Sequence, residues 1–242
     1  MKLKKSSFYP ALIALFFSSV ISASGQTYDS SIANASINNA ISVYHQKMQR
    51  SAGLYNGSEY EEYAFSFTEG NPYFGSRDRV NGSILYDGVL YKNVLMKYDE
   101  VKDVVVIWYN NDAVQLLSES IARFEIQDHF FTRIVKTSAK DLNTGFYEQL
   151  YGGKTGVLKK TIKVIQQKTD VSDGIQRFID QKTYYYLKGP NGYTQVSSKK
   201  DVTDIFKDHK KETREFINSK NLNYKKDPGD FLASVAAYYD TL

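Results

Sequence analysis

The sequence predicts an α+β fold: a mainly antiparallel sheet, curved or closed part-way into a half-barrel, with a helix before it and helices after it. Three observations carry that reading. Between about residue 54 and residue 197, glycines punctuate short runs rich in Tyr, Phe, Val and Ile, the composition of strands and turns. Before that stretch, Ile37, Ile41, Tyr44 and Met48 recur at spacings of four, three and four, one apolar stripe of a helix over residues 30–50. After it, Ser198, Asp208 and Asp227 stand where helix caps belong. The expected organisation is an export signal over 1–25, the N-terminal helix plus β-rich domain over 26–197, and a helical segment packed on it over 198–242.

The elements follow in order. Gly57, Gly70, Gly75, Gly82 and Gly88 separate the first short runs. Asp87-Gly88 supplies the positive-φ pair that a two-residue type I′ hairpin requires, so a strand runs on from Val89 to about Tyr98. Val104-Val105-Val106-Ile107-Trp108 is apolar without alternation, which predicts a strand buried on both faces in the middle of the sheet. Further strands are expected over Val114–Leu117, Arg123–Ile126, Phe130–Val135 and the run starting at Gly145. From Val157 to Ile165, Leu158, Ile162 and Val164 share one side and Lys159, Thr161 and Lys163 the other, predicting a strand whose lysine face is wet. Lys160 breaks the apolar side. Thr183–Leu187 and Tyr193–Val196 form a last hairpin about Gly189-Pro190-Asn191-Gly192. Ser198 with Asp201 makes a capping box, Asp208 caps a second helix, and Asp227-Pro228 starts a third.

The first 25 residues predict an address. Lys2, Lys4 and Lys5 lead into an apolar run of about 14 residues ending in Ser22-Ala23-Ser24-Gly25, the pattern of a cleaved secretory signal and shorter than the ~20 residues that span a bilayer. Cleavage near Gly25 removes three lysines, and the balance falls from +4 to 28 basic against 27 acidic residues. So small a charge predicts no general attraction to nucleic acid or to anionic membrane. The chain has no cysteine, which excludes disulfides, a lipidated cysteine, a thiolate metal site and a thiol nucleophile. No later segment is long and apolar enough to span a membrane as a helix.

Candidate chemistry is sparse. His45, His129 and His209 fall on different expected elements, none at a metal-ligand spacing such as H-E-x-x-H. Asp128-His129 sets an acid beside an imidazole, yet neighbours on a strand point to opposite faces. Glu59, Glu61 and Glu62, and likewise Asp99, Glu100 and Asp103, could offer oxygen ligands to a hard cation, but neither set has the order of a calcium loop, and solvated turn acids explain both. Hydrolase-elbow, P-loop and dinucleotide motifs are absent. Asn34, Asn56 and Asn81 head N-glycosylation triplets, which matter only in a eukaryotic secretory route. The 20 Tyr and 14 Phe suit half-wet strands; an aromatic platform for a glycan or peptide would expose tryptophan too, and Trp108 lies in the most apolar run. No catalytic, cofactor-binding or metal-binding residue is assigned.

Several segments resemble an uncharacterised family of exported proteins from Gram-negative bacteria: Leu54-Tyr55-Asn56-Gly57-Ser58-Glu59-Tyr60, Asn71-Pro72-Tyr73-Phe74, Gly82 through Tyr86-Asp87-Gly88 to Tyr91-Lys92-Asn93-Val94, Tyr98-Asp99, Gly145-Phe146-Tyr147, and the tail from Tyr184 through Phe206 to Tyr238-Tyr239. The resemblance implies a periplasmic address and transfers no activity. By architecture, an open half-barrel with a helix in its mouth is similar to periplasmic lipoprotein carriers. The expected function is a non-enzymatic binding or accessory protein, periplasmic or surface-associated, for a lipid, a peptide or an envelope protein. The alternatives are a carboxylate-dependent envelope hydrolase using Asp128 or His129, and a structural adaptor that covers a partner's surface.

Overall fold

The computed structural model describes residues 53–55, 57–109, 111–138, 141–172 and 174–242. The export signal, the helix expected over 30–50 and His45 lie outside the described residues.

Among the described residues eleven strands form one antiparallel sheet: β1 (Ser58–Glu59), β2 (Val80–Tyr86), β3 (Val89–Asp99), β4 (Val104–Tyr109), β5 (Asp112–Gln115), β6 (Ile121–Ile126), β7 (His129–Ile134), β8 (Gly145–Tyr151), β9 (Val157–Asp170), β10 (Gly174–Gly189) and β11 (Gly192–Val196). Their order is β1-β5-β4-β3-β2-β6-β7-β8-β9-β10-β11. Two meanders share the sheet: β2 to β5 run one way, then the chain returns and lays β6 along the free side of β2. The sheet is not closed, and β1 and β11 are its edges. Asp87 (φ 46°) and Gly88 (φ 77°) make the expected tight turn between β2 and β3.

Contacts across the sheet show that it bends. Five strand intervals separate β3 from β9, which in a flat sheet is about 24 Å. Yet Lys160 on β9 reaches Asp103, in the β3–β4 turn, at 2.8 Å. Residues 69–74 strap the two regions together: Glu69 bridges Phe178 of β10, and Tyr73 bridges Asp99 of β3.

The face turned into this bend is filled by the sheet's own aromatics. Phe124 and Phe131 stack at 4.8 Å, and Tyr98 meets both edge-on at 5.2 and 5.1 Å. Phe146 packs edge-on against Phe124, and Leu54, Ile84 and Met96 complete this core. Farther along the same face, three helices, α1 (Lys199–Ile205), α2 (Lys210–Ser219) and α3 (Pro228–Tyr239), bury Phe206, Ile217, Phe231 and Leu232 against Val157 and Leu187. The caps of α1 and α3 are the expected ones: Ser198 accepts the Asp201 amide and Asp227 accepts the Asp230 amide. Asp208 caps nothing. A 3₁₀ turn over Lys207–His209 precedes α2, and the Asp208 carboxylate accepts the Tyr239 hydroxyl instead.

Three expectations need correction. β4 is buried on both faces, but it is third from the edge, not central. Val105 and Ile107 enter the aromatic core, while Val104, Val106 and Trp108 are covered by Tyr60 and Tyr73 of the irregular segment after β1. β9 and β10 are much longer than the apolar runs suggest, because polar residues continue the hairpin to Asp170 and Gly174. Beyond Lys160 the faces of β9 are also inverted, although Leu158 is buried as expected. Lys163 is 7% exposed, whereas Ile162 and Val164 are 43% and 42% exposed. The lysine side turns inward because buried carboxylates meet it there.

Candidate functional site

Three ion pairs line β9: Glu148 and Glu100 are buried on the Lys159 and Lys163 side, whereas Asp103, 31% exposed, meets Lys160 of the other side. Lys159 reaches Glu148 at 2.8 Å, Lys160 reaches Asp103 at 2.8 Å, and Lys163 reaches Glu100 at 2.9 Å. Lys163 also donates to the Tyr73 carbonyl at 2.6 Å. Burial holds the Glu100 carboxyl above the usual range, against the opposing pull of Lys163. Gly145 is the one residue type that lets Asp103 approach so closely, since a Cβ there would overlap the Asp103 carboxylate. A polar crevice of about 290 Å³ opens beside this row, lined by Lys159, Thr161, Lys163, Glu100 and Gln181.

The sequence acids therefore separate. Asp99, fully buried, accepts the Tyr60 and Tyr63 hydroxyls at 2.7 and 2.9 Å and the Val101 and Lys102 amides at 2.9 and 3.0 Å. Burial, reinforced by Asp99, pushes both phenols far above their ordinary value. Glu100 and Asp103 each serve a different lysine. All three acids are thus occupied in fastening the β3–β4 turn. Glu59, Glu61 and Glu62 are exposed, and the Glu61 carbonyl accepts Lys102. Among the described residues no group of three or more His, Cys, Asp or Glu side chains could hold a metal ion.

Asp128 and His129 do not come together. Asp128 occupies the β6–β7 turn in the left-handed region (φ 63°). His129 starts β7 and its Nδ1 lies 2.6 Å from Glu148 Oε1, while Lys159 holds the other oxygen of Glu148. The Phe74 ring meets the imidazole edge-on at 4.9 Å. His209 packs edge-on against Tyr239 at 5.8 Å, far along the chain's helical end. Sequence reading missed Glu148 as the partner of His129, because the two meet only through the β7–β8 register.

The outward face of the same strands carries a cleft of about 570 Å³. Its apolar members include Leu85, Leu90 and Phe130, with Leu90 43% and Phe130 54% exposed. Its charged members are Lys92, Arg123 and Glu125. Sheet register sets them side by side: Leu85 pairs with Leu90 and with Arg123, Ser83 with Lys92 and Glu125, and Glu125 with Phe130. The Ser83 hydroxyl donates to Glu125 at 3.2 Å. Among the described residues neither Lys92 nor Arg123 has a carboxylate within ion-pair distance. A signal for this face existed in the sequence: Ile84-Leu85-Tyr86, Leu90-Tyr91 and Phe130-Phe131 are apolar on both parities, so some apolar side chains had to face outward.

Comparison with protein-family profiles, with curated proteins and with solved structures finds no match to this chain.

Proposed function

We propose that this chain is an exported, non-catalytic binding or accessory protein of the cell envelope, and that it holds its ligand on the outward face of the sheet. One observation carries the reading: the cleft over β2, β3, β6 and β7 combines exposed apolar side chains with two cations that have no carboxylate partner among the described residues. A site of this volume and mixed lining suits a small molecule held by an apolar surface and oriented by a few polar groups. An open half-barrel carrier would hold its cargo inside the bend. There Phe124, Phe131, Tyr98 and Phe146 fill the space, so the outward cleft is the better supported place. The export half of the reading is supported by the basic start, apolar run and small-residue end of residues 1–25.

The test is native purification from the envelope, followed by mass spectrometry of extracted small molecules and N-terminal sequencing. The expected result is one small amphiphile in near-stoichiometric amount, lost in Phe130→Asp, from a chain that starts near Gln26. Protein that carries nothing, in wild type and variant alike, removes the binding reading. A second reading, an adaptor that covers an envelope partner, is favoured by Ile162 and Val164, exposed together on one side of β9. Recovery of one stoichiometric protein in place of a small molecule, lost in Ile162→Asp, selects it.

A further inference from the structure

We infer that the ligand of the outward cleft is a single-chain amphiphile with one negative charge, a long-chain carboxylate whose head group is held between Arg123 and Lys92. The inference rests on the binding reading above and adds the ligand's chemistry to it. Its warrant is the charge count and its placement. The cleft carries two cations, Lys92 and Arg123, against one acid, Glu125, a surplus of one positive charge. That acid is already engaged by the Ser83 hydroxyl, while both cations lack a carboxylate partner among the described residues.

The arrangement of the apolar groups supplies the second half of the argument. Leu90 and Leu85 lie directly across from each other, and Arg123 is the next residue in the same row. Phe130 lies beside Glu125, one strand farther on. An alkyl chain over these side chains removes apolar surface from water, worth roughly 25 cal/mol per Å² covered. A carboxylate at Arg123 gains paired, charge-assisted hydrogen bonds from a planar fork of donors, which an alcohol or an ester cannot match. A neutral ligand would leave the surplus charge unanswered. A dianionic head would leave one of its own charges unanswered. The volume of about 570 Å³ lies in the middle of the range for one small ligand.

The experiment is fluorescence titration of the purified protein with 11-(dansylamino)undecanoate and, separately, with its methyl ester, at low and at high salt. The carboxylate is expected to bind about ten-fold more tightly than the ester at low salt, with the gap shrinking as salt screens the head group. Arg123→Gln brings the carboxylate down to the ester's affinity. Glu125→Gln tightens carboxylate binding several-fold, a gain that a misfolded variant cannot give. Equal binding of carboxylate and ester, unmoved by either variant, overturns the charge inference and leaves the cleft reading standing. No binding of either probe overturns both.

Discussion

Phe130 and Phe131 are neighbours in the chain and opposites in the fold. Phe131 is 4% exposed and stacks on Phe124 inside the bend, whereas Phe130 is 54% exposed on the outward face. The same strands thus present two surfaces with different tasks. The inward face interlocks aromatic rings from β3, β6, β7 and β8, each ring pair adding about 0.5–1.5 kcal/mol beyond its buried area. The outward face leaves Leu90, Phe130 and Arg123 exposed to solvent. Because β2, β6 and β7 make their core on one side from the sheet's own side chains, the other side of these strands is released from that duty, unlike that of β4, which Tyr60 and Tyr73 cover.

The strongest way to break this contrast is to empty the inward face. Phe124→Ala is expected to destabilise the protein by about 3–5 kcal/mol, because it removes a ring that touches Phe131, Tyr98 and Phe146 and leaves a cavity among them. Urea unfolding followed by circular dichroism reads it. A loss below about 1 kcal/mol would mean that the inward aromatics are loosely packed.

A second contrast lies within the inward face, between its apolar part and its ion pairs. Lys163→Met strands Glu100 in a buried site, with an expected loss of about 3 kcal/mol. The double variant Lys163→Met with Glu100→Leu should recover most of that loss, since it removes both buried charges and restores apolar contact. A double variant as weak as the single one would show that the pair itself, and not the relief of a stranded charge, holds residues 69–74 against β9.

These pairs also explain what the sequence could and could not show. The period of β9 is legible, but its sign is not. Alternation says that Lys159, Thr161 and Lys163 share a face. Which face is buried depends on Glu148 and Glu100, brought over from β8 and from the end of β3. The same holds for His129, whose acid is its neighbour across the β7–β8 register and not Asp128 beside it. Local features were legible because their physics is local: the Asp87-Gly88 turn, the Ser198 and Asp227 caps, and the doubly buried β4. The extension of β10 was hidden because its distal half carries polar residues, held in the ladder by β9. The cleft was half visible, as apolar pairs on both parities, but only the register puts Arg123 beside Leu85.

Acid should separate the two ends of the inward face. The Asp201 carboxyl is held below its usual value, first by the Ser197 amide. Burial tends to raise that of Asp240, but bonds from Thr155 and Tyr151 outweigh it and the net direction is down. For both groups the native state binds the proton less tightly than the unfolded chain does. Their contribution is therefore present above the ordinary Asp range and is lost as pH falls through the depressed values. Glu100 runs the other way. Its raised carboxyl binds the proton more tightly when folded, so the strap region loses stability as pH rises through the interval above the ordinary Glu value. In an acid titration below about pH 4, the helical signal in the far ultraviolet should therefore decline before the aromatic signal in the near ultraviolet. Asp240→Asn should flatten the helical response. Simultaneous loss of both signals would show that the helical end and the aromatic core unfold as one unit.

The smallest expected effect is the most discriminating. Phe130→Ser should change stability by no more than about 0.5 kcal/mol, because the ring removed is already more than half in water and its neighbours are Glu125 and the rest of the outward face. The same substitution takes an aromatic ring out of the cleft, so probe affinity should fall while the urea midpoint stays in place. That dissociation of binding from stability is what a face free of structural duty predicts. Suppose instead that Phe130→Ser lowers stability by nearly as much as Phe124→Ala. The outward face would then be covered in solution, its apolar residues would be a second core, and Arg123 and Lys92 would answer to whatever covers them. The two neighbouring phenylalanines therefore decide, by the ratio of their effects, whether this sheet has one working face or none.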